Sequence, residues 1–107
     1  MQWFTVRTVV HRADERVYQE RITLWRRSDP DEAAEAALAE STEYAADEGA
    51  VDCGLAQVYE PYGDDVAGLR AAADGCEIFS LVRQSDLDPG AYLDTFFDTG
   101  REQQQLI

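Results

Sequence analysis

Two runs rich in β-branched and aromatic residues, WFTVRTVV at residues 3–10 and VYQERITLWR at residues 17–26, are separated only by the short polar link HRADER. A link of that length folds the second run back on the first, so the first quarter of the chain is expected to be an antiparallel β-hairpin. In the first run Phe4, Val6, Thr8 and Val10 share one face, and Trp3, Thr5, Arg7 and Val9 the other. In the second, Tyr18, Glu20, Ile22 and Leu24 alternate with Val17, Gln19, Arg21, Thr23 and Trp25. The more apolar members of the Tyr18 set are expected to face the core.

A two-stranded hairpin is barely stable alone, and the next segment, SDPDEAAEAALAESTEYAADEG at residues 28–49, supplies a cover. Asp29 suits an N-cap, Pro30 the first helical position, Glu32 a capping box and Gly49 a C-terminal stop. On a helical wheel Ala34, Ala37, Leu38, Ser41, Tyr44 and Ala45 fall inward, while Glu32, Glu40, Glu43 and Asp47 gather outward with Glu35 on the flank. This helix carries eight acidic residues and no Lys or Arg, and the arginine-free stretch runs on to Leu69 with twelve acids in all. Surface helices ordinarily intersperse both signs.

After a loop holding Cys53 and Gly54, LAQVYEP at residues 55–61 reads as a third strand closed by Pro61. Residues 63–75 form a glycine-punctuated connection with room for one helical turn at residues 66–73. CEIFSLVRQ at residues 76–84 reads as a fourth strand. Asp88 and Pro89 then open a second helix with an apolar side of Tyr92, Leu93, Phe96 and Phe97 and a stop at Gly100. Residues 1–100 are expected to form one α+β domain, a four-stranded antiparallel sheet with two main helices in the order β-β-α-β-β-α, the helices on one side; residues 101–107 form a frayed tail.

The fragments W-aromatic-x-V-R at Trp3, Y-x-E-R-I-x-L at Tyr18, the Asp-Pro-Asp-Glu-Ala-Ala helix start and E-I-F-S at Glu77 occur in this order. Over residues 3–84 the chain thereby resembles the bacterial domain of unknown function family 4288. The segment at residues 63–75 and the helix after Asp88 read as local elaborations. The resemblance implies a small α+β domain and carries over no catalytic residue.

Charge narrows the function classes. Residues 1–27 hold six Arg against three acids, and the remainder three Arg against nineteen acids, for a net −13. Such a chain repels nucleic acid and anionic membranes and attracts basic partners. With no apolar run near the length of a bilayer crossing and no signal-peptide zones, a cytoplasmic location is expected. Cys53, Cys76 and the sole histidine, His11, share no metal spacing; no metal, no cofactor and no catalytic set is expected, and the two thiols should stay free. His11 reads as a turn residue, and Asp64 with Asp65 as a solvated pair.

Two surfaces remain as candidates. The first is the acidic helix, with Glu32, Glu40, Glu43 and Asp47 meeting a basic protein, as an immunity-type or inhibitor-like domain would. The second is a sheet face on which alternation gathers Trp3, Arg7, Arg21, Trp25, Tyr59, Phe79 and Arg83. That face would be covered by the C-terminal helix or a second copy, meet another protein, or hold an anionic aromatic ligand or substrate. The leading expectation is a non-enzymatic interaction domain, self-associating or bound to a basic protein; a ligand-binding or enzymatic module is the alternative.

Overall fold

The computed structural model describes residues 1–60 and 74–97. In chain order these hold β1 (Gln2–Arg12), a 3-10 turn (Ala13–Glu15), β2 (Val17–Arg27), α1 (Pro30–Asp47), β3 (Val51–Tyr59), β4 (Glu77–Gln84) and α2 (Pro89–Phe96). The strands form one antiparallel sheet ordered β3-β1-β2-β4, so the hairpin is central and the later strands flank it. The fold is α+β with the expected β-β-α-β-β-α order. Pro61, the pair Asp64 and Asp65, the turn expected at residues 66–73, the stop at Gly100 and the tail at residues 101–107 lie outside the described residues.

The turn of the hairpin decides what each face contains. Arg12 lies opposite Val17, with four residues between them. Arg16 closes the turn in the left-handed region (φ 54°), donating its N–H to the Ala13 carbonyl. An even-numbered connection sets even residues of β1 against odd residues of β2: Phe4 faces Trp25, Val6 faces Thr23 and Thr8 faces Arg21. Trp3, Thr5, Arg7 and Val9 therefore share the opposite face with Tyr18, Glu20, Ile22 and Leu24. Both sets of β2 are buried, because both faces are covered.

The helices lie on opposite faces, and not on one side as the order of elements suggested. On the first face, Ala33 and Ala37 of α1 pack on Phe4, Val6 and Trp25, with Ala56 and Val58 of β3 beside them. The buried stripe is Ala33, Ala37, Ser41 and Ala45. Ala37, Ser41 and Ala45 are as expected from the wheel, but Ala33 replaces Ala34, and Leu38 and Tyr44 sit half-buried at the margin. Side chains this small let the helix approach the sheet closely. Asp29 caps it by accepting the Glu32 N–H at 2.9 Å, and Gly49 follows its end at φ 67°.

On the second face, Tyr92 of α2 and the following Phe97 pack on Val9 and Tyr18. Asp88 caps α2 by accepting the Ala91 N–H at 2.9 Å, and the helix stops at Phe96. β3 begins at Val51, before the expected Leu55. Gly54 (φ 78°) absorbs a shift of register with β1 between Thr8 and Val10 and so keeps the strand going where a loop was expected. Among the described residues no helix is long and apolar enough to cross a membrane.

Candidate functional site

The seven residues expected to share a sheet face divide between two. Trp3, Arg7, Tyr59, Phe79 and Arg83 lie on the α2 side; Arg21 and Trp25 lie under α1. This corrects the expected grouping. It also removes Trp25 from any intermolecular surface, since the residue is 7% exposed within the chain's own core and its indole N–H donates to Thr23 Oγ1.

On the α2 side the centre is Glu20, which the sequence alone did not mark. Both of its oxygens are engaged. Oε1 accepts from Arg7 Nε at 2.8 Å and from Arg7 Nη2; Oε2 accepts from Arg83 Nη1 at 2.8 Å and from the Tyr92 hydroxyl. Arg7 also donates to Gln57 Oε1 and to the Phe96 carbonyl, which ties the end of α2 to β1. The guanidinium of Arg7 lies 4.0 Å from the ring centroid of Phe97, and that of Arg83 lies 3.9 Å from that of Phe96. Burial, followed by the hydrogen bond to Glu20, pushes the Tyr92 hydroxyl well above its ordinary pKa, so it stays a donor. A carboxylate whose oxygens are all taken, between two arginines stacked on aromatic rings, is chemistry for pinning a helix to a sheet.

The aromatic column continues from Tyr92 onto Tyr18 at 3.8 Å and from Tyr18 onto His11 at 4.1 Å. Tyr18 donates its hydroxyl to the Leu87 carbonyl at 2.6 Å, and burial first, then Cys53 and Asp88, raise its pKa. His11 thus reaches the rim of an open groove of about 490 Å³ with Arg16, Asp86 and Asp88 also on its walls. Arg16 is paired with Asp86 at 3.3 Å, and both are largely exposed. Cys53 is pushed up to about 11 by burial and then by Asp52, which keeps it a thiol at neutral pH.

On the α1 side the acidic residues separate into two groups. Glu40 does not belong with the outward set: it receives both terminal nitrogens of Arg21, at 2.8 and 2.9 Å, while Arg21 Nε holds Glu77 at 2.6 Å. Desolvation alone would lower the pKa of Arg21, but those two carboxylates raise it, and its guanidinium stacks 3.7 Å from the Tyr44 ring centroid. Glu48 pairs with Arg12 at 3.7 Å. Asp31, Glu32, Glu35, Glu43 and Asp47 are exposed and form no ion pair with any described arginine. Glu32 is used locally, accepting the N–H of Ser28, one residue before the Asp29 cap whose N–H the expected capping box would take. No family model, curated protein or solved structure matches this chain.

Proposed function

We propose that the chain is a non-enzymatic interaction domain of the immunity or inhibitor type, acting in the cytoplasm, whose outward α1 face docks on a basic protein. The observation that supports this reading is the division of the helix acids. Glu40 and, at the C-cap, Glu48 are matched by arginines from β2 and β1, whereas Asp31, Glu35, Glu43 and Asp47 are exposed and pair with no arginine among the described residues. Like charges at helical spacing repel one another, and a cationic partner relieves that repulsion as it steers the encounter. Two free cysteines suit a reducing compartment. The same reading includes membership of the bacterial family 4288, supported by the order of the sequence fragments.

The rival use of the arginine and aromatic face as a ligand pocket has less support. Arg7 and Arg83 share Glu20 beneath α2, and Arg21 is held by Glu40 and Glu77 on the other side. A ligand anion would have to displace an internal carboxylate.

The test uses the basic protein that co-purifies with the chain at low salt. Reversing Glu43→Arg and Asp47→Arg together should cut the association rate several-fold, and the wild-type rate should fall steeply with added salt. Equal rates for the two proteins would remove the helix from the account.

A further inference from the structure

The sheet ends in two open edges among the described residues, and they differ. β3 is interrupted at Gly54, whose N–H is taken by the Asp52 carboxylate, a kink of the kind that blunts an edge. β4 has its one register shift near its start, opposite Ile22 and Thr23, and then runs regularly over residues 79–84 with no proline and no lysine. Ser85, next in register after the Gln84 and Val17 pair, donates its N–H to the Arg16 carbonyl. Antiparallel backbones alternate, so Phe79, Leu81 and Arg83 turn their N–H and C=O toward β2, and Ser80, Val82 and Gln84 turn theirs to the open side.

Four residues of this edge strand are exposed, the polar Glu77 and Gln84 at its ends and two large apolar groups between them. Phe79 is 53% exposed on the α2 side and Val82 63% exposed on the α1 side. A regular edge with large apolar groups on both faces is a template for another strand.

We propose that a second copy of this chain docks on β4, antiparallel about a two-fold axis at Ser80, joining two sheets into one of eight strands. The occupant follows from the strand's own sequence, IFSLV at residues 78–82, which has the same chemistry read in either direction. About that axis Ser80 faces its counterpart, Phe79 faces Leu81 twice, and Ile78, at the register shift, faces Val82 at each margin. Opposed residues fall on the same face, and the outward backbone groups of Ser80 and Val82 are those such a pairing uses. Charge permits it as well. The strand itself carries one charge of each sign, Glu77 and Arg83, and Glu77 is held by Arg21 of β2. A strand with balanced charge lets two chains of net −13 meet without like charges concentrated at the contact.

The proposal is independent of the acidic helix, and its test keeps the two apart. Sedimentation velocity on the full chain, from roughly 1 to 200 μM, spans the range where a strand-edge dimer of modest area dissociates. The wild type and the Glu43→Arg, Asp47→Arg variant should both dimerise as concentration rises. Val82→Pro removes only an outward N–H and should be monomeric throughout with unchanged circular dichroism. Directly opposed Cα atoms in a hydrogen-bonded pair sit about 5.5 Å apart, within disulfide reach. Ser80→Cys, with Cys53 and Cys76 replaced by Ser, should therefore cross-link on mild oxidation, and Gln84→Cys in that background should not. A wild type that stays monomeric, a folded Val82→Pro that dimerises as before, or a Ser80→Cys that fails to cross-link would each overturn it.

Discussion

The two faces of the sheet are closed by opposite means. Under α1 the contact is made by alanines, with a serine among them, set four residues apart, and the energy comes from close approach of an eighteen-residue helix to Phe4, Val6 and Trp25. Under α2 only eight residues are helical, too few to bury much surface. There the attachment is chemical: Glu20 between two arginines, Tyr92 reaching down to it, and a column of stacked rings. A long helix with a narrow small-residue stripe leaves its outer side free for acids, while a short helix must invest its polar groups inward. Among the described residues, the contrast accounts for the run of exposed acids without an arginine on α1 and for the carboxylate held between two arginines under α2.

The comparison can be broken most severely at Glu20. Glu20→Ala removes the buried carboxylate that Arg7 and Arg83 share, and should cost about 3–5 kcal/mol in urea unfolding. A loss below about 1 kcal/mol would mean that water already serves these arginines. On the other face no single charge matters as much, and the sensitive quantity is volume. Ala37→Leu forces extra methylenes between α1 and the sheet and should cost about 1–3 kcal/mol, read from the same unfolding curves. A neutral result would show that α1 stands off the sheet.

The elements of this fold were legible because their signals are local. Asp29 with Pro30 and Asp88 with Pro89 announce two helix starts, and both aspartates accept the backbone N–H expected of a cap. β2 shows where such signals end. Alternation says that Tyr18, Glu20, Ile22 and Leu24 share a face, but in a strand buried on both sides neither set is marked as inward. The pairing with β1 then depends on the length of the turn at Arg16, and an error of one residue moved Arg21 and Trp25 to the wrong face. Glu20 was illegible for a related reason. Its partners Arg7, Arg83 and Tyr92 lie 13, 63 and 72 residues away in sequence, so no spacing rule could gather them. Glu40 shares its wheel position with solvated acids and differs only in that Arg21, on another element, lies beneath it.

The central claim, that the α1 acids paired with no described arginine form the surface a basic protein meets, can be read residue by residue. The measurement is an amide chemical-shift titration of the labelled chain with a short polyarginine peptide. Shifts centred on Asp31, Glu35, Glu43 and Asp47, fading as salt is added, are the expected result. Shifts centred instead on the groove beside His11 or on the Arg7 and Arg83 side, with α1 silent, would contradict it.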